Sequence, residues 1–280
     1  MNNDVQLPYA IRNAQVVYIE DVDSGLQADC VCPTCGDALI AKKGGIKTHH
    51  FAHYQDSDCA CATETALHLA AKQIIEQERQ LMLPQVMLKF QGSKSPWVLS
   101  KAQRVSVDDV RVESRLGVHI PDVLARIGDH RLAIEITVTH KTDDKKVQCL
   151  SRHGCSILEI DLSGQPRFLS LEELKELIVN GVAQKRWRFN SYSEQLRREV
   201  ELACERKALV SRGLALHVDD CPIPARVWRG KPYANVIDDC WSCEHCVQSG
   251  VSGTENSSAP LLCLGKSGIV TYQDWRSRRR

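Results

Sequence analysis

The sequence lacks an apolar run of the roughly 18 residues that a membrane-spanning helix needs. Its first ten residues, MNNDVQLPYA, also lack the basic and apolar regions of a secretory signal peptide. An excess of charge of one sign is missing as well, since 36 Lys and Arg balance 35 Asp and Glu. These absences predict a cytoplasmic protein with no membrane partner, in which any nucleic-acid surface must be a local patch.

The composition is that of a folded globular protein. The 280 residues are 43% hydrophobic and 25% charged, which excludes a peptide-sized scaffold, extended disorder, collagen and coiled coil. Disulfides are rare in the cytosol, so the thirteen cysteines are read first as metal ligands. Five of them lie between Cys30 and Cys61 and five between Cys221 and Cys263, which predicts a metal-binding module near each end.

The central part of the chain has an α/β pattern. Helical spacing of apolar residues begins at Thr63 and stops before Pro84, and three alternating strands follow, the last two joined at Gly128-Asp129. A second helix with Thr142 as its N-cap ends at Gly154, before the buried strand CSILEIDL. The predicted order is therefore α-β-β-β-α-β, with the three strands forming an antiparallel meander.

Four regions are predicted from these patterns. They are a metal module at 1–62, an α/β core at 63–182, a helical linker at 183–217, and a second metal module with a basic tail at 218–280.

Two acidic residues converge in the predicted meander. Glu135 alternates with Ile134 and Ile136, so its side chain points away from the apolar layer, and the hairpin can bring Asp122 close to it. Paired carboxylates suit a hard divalent cation that activates water against a phosphodiester. Two solvated acids on an exposed sheet face are the alternative.

The first helix carries three polar residues at i, i+4 spacing. Glu64 flanks the apolar stripe and is the best helix candidate for the acidic site, whereas Lys72 lies nearly opposite the stripe. The alternative for His68 and Lys72 is a solvated polar ladder along the helix.

The first cysteine module has the spacing of a structural zinc site. Thiolates and imidazoles suit Zn²⁺, and a closed tetrahedral site is predicted from Cys32, Cys35, His50 and His53. Cys59 or Cys61 could replace one histidine. Thiol redox chemistry is disfavoured because the C-x2-C motif is not near a βαβ unit.

The second module offers five thiols for four ligand positions. A zinc ribbon pairs one knuckle with two distant sulfurs, which favours Cys221, Cys240, Cys243 and Cys263. Cys246 or His245 would then be spare, and buried free cysteines are the alternative.

Several motifs in order resemble a known family. The chain resembles PD-(D/E)xK nucleases and, more narrowly, the CoiA-like competence proteins, over roughly residues 30 to 165. The motifs are Cys32-Pro33-x-Cys35, His50-Phe51-Ala52-His53, Glu64-x3-His68-x3-Lys72, Pro121-Asp122-Val123 and Ala133-Ile134-Glu135-Ile136.

The resemblance implies a restriction-endonuclease-like core that cleaves DNA. Asp122 and Glu135 would bind Mg²⁺ or Mn²⁺, and Glu64 would assist them. The family places a lysine two residues after the glutamate, where this sequence has Thr137. The implied roles are uptake or recombination of incoming DNA, or defence against it, with DNA and other DNA-processing proteins as partners.

A cation or base from another element is expected to replace the missing lysine. Lys146 on the second helix is the first candidate and His140 at the strand end the second, with Lys72 and Lys141 less favoured. His68 is a further candidate for proton transfer. The competing functions are a zinc-stabilised nucleic-acid-binding protein with an inactive nuclease fold, and a protein–protein adaptor.

Overall fold

The computed structural model describes residues 6–55, 59, 61–139, 143–250 and 259–279. The chain forms two compact units, one of residues 1–84 with 102–191 and the other of residues 85–101 with 192–280. Helices and sheets are mixed in the described chain, as expected for the predicted α/β class. Among the described helices, none combines the length and apolar character needed to span a bilayer.

The first unit begins with a five-stranded sheet in the order β2-β1-β3-β4-β5. Every neighbouring pair in this sheet is antiparallel. Its core contains Leu7, Ile19 and Phe51, all fully buried. The strands are β1 (Tyr9–Arg12), β2 (Gln15–Tyr18), β3 (Gly25–Val31), β4 (Ala38–Lys42) and β5 (His50–His53).

Helix α1 (Ala62–Glu78) follows this sheet and is fixed to it by one side chain. The Gln73 amide accepts a hydrogen bond from the Val16 backbone N–H at 2.7 Å and donates to the Val16 carbonyl at 3.3 Å. The helix is capped by Arg79, which has a left-handed conformation with φ of 49°. The helix predicted from Thr63 is therefore present, and its last residue, Glu78, lies six residues before Pro84.

Two short antiparallel ribbons follow α1 before the main sheet begins. The strands are β6 (Gln80–Leu83), β7 (Val86–Leu88), β8 (Trp97–Ser100) and β9 (Gln103–Ser106). Strand β6 pairs with β9 in the first unit, and β7 pairs with β8 in the second unit.

The main sheet of the first unit has the order β10-β11-β12-β13-β14. Its first three strands form the predicted antiparallel meander, and β13 is parallel to β12. Gly128, with φ of 57°, supplies the turn between β11 and β12. The strands are β10 (Asp109–Val112), β11 (Val123–Ile127), β12 (His130–Thr137), β13 (Ser156–Asp161) and β14 (Lys185–Phe189).

Helices cover both faces of this sheet. Helix α1 packs on the face that carries Ile134 and Ile136. Helix α2 (Asp144–Arg152) contributes Leu150 to a smaller cluster on the other face. The side chain of Asp143 accepts a hydrogen bond from the Lys145 N–H and is the N-cap, whereas the predicted cap, Thr142, lies outside the described residues.

A short helix, α3 (Leu171–Lys175), continues as a π-helical turn over Glu176–Asn180. Ser170 and Glu173 form a reciprocal capping box at its start. Leu174 and Ile178 are fully buried in the same core as α1, so this helix closes the α1 side of the unit.

The second unit contains short strands, and its longest helix is α4 (Ser191–Ala203). The later elements are β15 (Glu205–Lys207), β16 (Val210–Arg212), β17 (Ala215–Asp219), β18 (Arg226–Trp228), β19 (Lys231–Asn235), β20 (Cys246–Gln248), β21 (Leu261–Cys263) and α5 (Tyr272–Ser277). They form one sheet in the order β15-β21-β20 and another in the order β16-β17-β19-β18.

The four-part division drawn from the sequence remains a prediction. Residues of the predicted metal module and of most of the α/β core fall in the first compact unit. The predicted linker at 183–217 contains strands as well as a helix.

A fully buried glutamate lies near the centre of the main sheet. Glu159 on β13 accepts hydrogen bonds from Thr137 Oγ1 at 3.0 Å, Arg186 Nη2 at 2.8 Å and Arg188 Nη1 at 2.6 Å. Burial alone raises the pKa of Glu159, but these three donors outweigh it, so its pKa lies below the usual value. The carboxylate therefore stays charged and joins three strands.

Glu159→Ala should destabilise the protein strongly. It leaves Thr137 and Arg186 without this acceptor, while Arg188 keeps its pair with Asp144, and breaking a buried ion pair costs roughly 3–5 kcal/mol of unfolding free energy. Urea denaturation measures this loss. Glu76→Ala, at an exposed site on α1, is the control and should change stability by less than about 0.5 kcal/mol. Equal stability of the two variants would contradict the assignment.

Candidate functional site

A row of ionisable side chains crosses the main sheet. Glu135 on β12 is in register with Glu159 on the parallel strand β13, and Glu159 is in register with Arg186 on β14. On the other side, Val123 pairs with Ile134, so Asp122, just before β11, lies beside Glu135. The sheet therefore brings the two predicted acidic residues together.

Asp122 is held by donors from the sheet and from α1. Its Oδ2 is 2.9 Å from His68 Nε2 and accepts a hydrogen bond from the Ile136 N–H at 2.8 Å. Lys72 Nζ lies 3.6 Å from Oδ1. Burial raises the pKa of Asp122, but these groups together lower it below its usual value. Asp122 is therefore an anion at neutral pH.

The position of Lys72 corrects the helical-wheel expectation. The residue is only 4% exposed, not on a solvated face, and its Nζ contacts Glu113 Oε1 at 2.8 Å as well as Asp122. Helix α1 packs beside β10, and Glu113 directly follows that strand, so the side of the helix opposite the apolar stripe is also covered. Lys72 is consequently part of the acidic site.

Glu135 is buried, with 4% exposure, and only one of its oxygens is satisfied. Oε2 accepts a hydrogen bond from Lys146 Nζ at 2.7 Å, whereas Oε1 is buried without a hydrogen-bond partner in the described residues. Burial raises the pKa of Glu135 to about 7, and the charge of Asp122 adds to this while Lys146 opposes it. The alternative of two solvated acids is therefore excluded for Glu135.

The remaining predicted residues have separate positions. Thr137 Oγ1 donates its hydrogen bond to Glu159, so it faces the neighbouring strand's carboxylate. Glu64 contacts Thr139 Oγ1 just beyond β12. Neither His140 nor Lys141 is among the described residues. Of the two leading candidates for the missing lysine, Lys146 is the one that the structure places on Glu135.

The first cysteine module brings four metal-binding side chains together. The ligand atoms of Cys32, Cys35, His53 and Cys59 all lie within 4.8 Å of one another. Three of the four predicted ligands belong to this group. His50 does not: it is buried with Nδ1 2.7 Å from the Thr48 carbonyl oxygen, and Cys59 takes the fourth place.

The chemistry of this cluster fits zinc. Cys32 and Cys35 lie in the tight turn between β3 and β4, where the Thr34 N–H points at Cys32 Sγ over 3.4 Å. His53 at the end of β5 places Nε2 3.4 Å from Cys35 Sγ. Three thiols and one imidazole form a Cys₃His set, which is a standard structural zinc site. The cluster can therefore hold one Zn²⁺.

The second cysteine cluster surrounds a small cavity. All five predicted thiols line it, namely Cys221, Cys240, Cys243, Cys246 and Cys263. The Gly265 N–H points at Cys263 Sγ over 3.2 Å, and a side chain at Gly265 would collide with Pro222. In the described chain these thiols do not form a four-ligand group as close as the first one. A second zinc site here remains a prediction.

Two carboxylates of the row were not among the predicted site residues. Glu159 sits in the apolar run CSILEIDL, where a single acid between buried neighbours is an available signal of a paired buried charge. Glu113 joins the site only through the pairing of β10 with β11, which the sequence pattern does not specify.

The raised pKa of Glu135 predicts a loss of stability as the pH increases. Folding raises this pKa from about 4.5 to about 7, so the stabilising contribution is fully present below about pH 4.5 and is lost as the pH rises through 7. Relative to Glu135→Gln, the wild type should lose on the order of 3 kcal/mol of unfolding free energy. Urea denaturation without Mg²⁺ or Mn²⁺ measures this, and parallel pH profiles of the two proteins would contradict it.

We expect zinc in both cysteine clusters. Elemental analysis should find two zinc ions per chain, falling to one in Cys35→Ser and in Cys243→Ser, each with lower stability because structural zinc contributes to folding. Cys61→Ser is the matched control, since Cys61 is exposed and outside the first group. Zinc-free native protein, purified without chelator, would refute both sites.

Comparisons with known proteins agree with the motifs at the N-terminal end. Residues 19–62 match the family described as "Competence protein CoiA, N-terminal domain". The chain is 37% identical over 131 residues to "Competence protein CoiA" of Bacillus subtilis (strain 168). This match covers 44% of the chain and 28% of the relative, less than a third of the relative's length. No solved structure matches the chain significantly. Family and relative together confirm the predicted CoiA-like resemblance.

Proposed function

We propose that this protein is a metal-dependent deoxyribonuclease that hydrolyses phosphodiesters during DNA uptake or recombination. The observation that carries the proposal is the unsatisfied buried oxygen of Glu135, which lies beside Asp122 and opposite Lys146. Such an oxygen costs stability unless a ligand pairs with it. The CoiA-like N-terminal match supports a role in DNA processing, because competence is the uptake of DNA.

The acidic site fits a hard divalent cation. Carboxylate oxygens are the ligands that Mg²⁺ and Mn²⁺ prefer, and Asp122 and Glu135 supply them from adjacent strands. When bound, such a cation acidifies a water molecule and neutralises charge on the phosphate. Burial keeps Glu135 partly protonated near neutral pH, so cation binding releases a proton from it.

Lys146 takes the role that the family assigns to a lysine after the glutamate. Its ammonium group approaches Glu135 from α2, because the side chain spans the distance from helix to sheet. Thr137 cannot replace it, since this side chain is buried and bonded to Glu159. Lys146 would stabilise the charge that develops on the phosphate, whatever the exact geometry of the substrate.

Helix α1 supplies the residues that fix Asp122. His68 bonds one oxygen of Asp122 and Lys72 lies near the other, so the carboxylate has a defined orientation. His68 is 27% exposed at its side chain and can also exchange a proton with solvent. Glu64 on the same helix would assist from the end of β12, where it meets Thr139.

The decisive experiment incubates the purified chain with linear, circular and single-stranded DNA in Mg²⁺, Mn²⁺ or EDTA. We expect cleavage only with metal, and its loss in Glu135→Ala and Asp122→Ala. Lys146→Ala should reduce the rate by roughly 10²–10³, as expected for loss of one transition-state charge partner. Metal affinity, measured by calorimetry, should fall in the carboxylate variants and not in Lys146→Ala.

Lys145→Ala is the matched control, because this exposed neighbour lies on the same helix. It should cut at the wild-type rate. Equal cleavage by wild type, Glu135→Ala and Asp122→Ala would place the activity elsewhere or in a contaminant. DNA binding that weakens with salt, without cutting under any metal, would favour the inactive, zinc-stabilised binding protein instead.

A further inference from the structure

The sheet β16-β17-β19-β18 of the second unit has two different faces. Val218 and Ala234 are register partners whose side chains are buried in the core beside the cysteine cluster. Because side chains alternate along a strand, their sequence neighbours point to the opposite face. That face is buried at one end, where Asn235 lies, and accessible at the other, where Tyr233 is half-buried and Lys231 is exposed.

Aromatic rings lie at the accessible end of this second face. Asp219 pairs with Tyr233, so His217 and Tyr233 lie diagonally across β17 and β19, with ring centroids 5.6 Å apart. Trp228 at the end of β18 belongs to the same face and is 60% exposed. Trp228 therefore forms a patch together with the other two rings, and exposed apolar patches mark binding sites more often than single exposed side chains do.

Two cations accompany Trp228. Lys231 is its register partner across the hairpin, and the guanidinium of Arg229 lies 4.6 Å from its ring centroid. Arg229 and Gly230 form the two-residue turn, both with positive φ. Neither Lys231 nor Arg229 takes part in an ion pair within the described residues. These charges are available for an anionic ligand.

A cleft of about 560 Å³ is lined by His217, Tyr233, Trp228 and Lys231, with Arg229 outside its lining. This volume lies in the range of small-ligand sites. Arg212 also lines the cleft, but Asp219 neutralises it through a pair at 2.7 Å. Asp220 also lines the cleft, and its carboxylate would repel a phosphate at that wall, so the phosphates would lie toward Lys231.

We propose that this face of the second unit binds single-stranded DNA. Bases would stack on Trp228 and on the His217–Tyr233 pair, while Lys231 and Arg229 would contact the phosphates. Rings on a sheet with interspersed cations are the usual platform for unpaired nucleotides. Duplex DNA does not fit, because its bases are already stacked on one another. The site lies outside the acidic site of the proposed nuclease, and the choice of DNA over RNA as its ligand rests on that proposed function.

The test measures the affinity of the full chain for a fluorescein-labelled oligodeoxythymidylate, without Mg²⁺ or Mn²⁺ so that nothing is cut. Loss of one stacking ring costs roughly 5- to 150-fold in affinity, so Trp228→Ala should weaken binding by that factor. Trp228→Phe should restore most of it. Lys231→Ala should lower the slope of log affinity against log salt by about one.

Trp241→Ala is the matched control. This tryptophan is 47% exposed in the same unit but does not line the cleft, so its removal should leave affinity unchanged. Circular dichroism and zinc content should be equal in both tryptophan variants. Equal affinity of Trp228→Ala and Trp241→Ala would overturn the proposal, as would equal wild-type affinity for duplex or for single-stranded RNA of the same length.

The two proposals fail separately. Glu76→Ala, at an exposed site on α1 of the first unit, should bind the oligonucleotide like wild type. If the wild type cuts DNA and Trp228→Ala binds the oligonucleotide as tightly as the wild type does, only the stacking site is rejected. A protein that binds through Trp228 but never cuts would reject only the nuclease.

Discussion

Burial of two carboxylates side by side is the constraint on which the main sheet depends. Glu135 and Glu159 are register neighbours on parallel strands, and both are removed from water. Removing each carboxylate from water favours its protonated form unless cations and hydrogen-bond donors compensate. The sheet compensates the two unequally, since Glu159 has two arginines and Glu135 one lysine. The pKa of Glu159 therefore falls while the pKa of Glu135 rises, which gives adjacent residues different protonation at neutral pH.

The pairing also explains why both helices are needed. Helix α2 brings Lys146 to Glu135, and α1 brings His68 and Lys72 to Asp122. Glu135 and Asp122 are thus oriented by different helices, although both lie on the β11–β12 hairpin or directly before it. After this, one oxygen of Glu135 is still unpaired among the described residues. An otherwise well-satisfied polar network with one open position is what a bound cation would complete.

Periodicity predicts the strands and helices well, because alternation and helical spacing directly reflect which side faces a core. It therefore identified the meander, both flanking helices and the meeting of Asp122 with Glu135. Helical spacing places Lys72 on the side of α1 opposite the apolar stripe, but it does not show that β10 packs against that side. This contact depends on tertiary structure, which also brings Lys72 to Asp122. Alternation also left solvated acids on the polar side of β12 as an alternative to a paired site, because it does not show that Lys146 of α2 reaches Glu135 there. Spacing alone also could not choose between His50 and Cys59, because the choice depends on how β5 turns into α1.

The four possible zinc ligands of the first cysteine module lie at the start of the helix that orients Asp122. Cys59 precedes α1 by three residues, and its carbonyl accepts the Ala62 N–H at 3.0 Å. The other three ligands come from the β3–β4 turn and the end of β5, so a bound ion would join the beginning of α1 to the N-terminal sheet. His68 lies less than two turns further along α1. Oxidation of these thiols would release the bound ion and free the beginning of α1 from the N-terminal sheet. The position of His68 beside Asp122 would then depend on the redox state of cysteines that the acidic site does not contact.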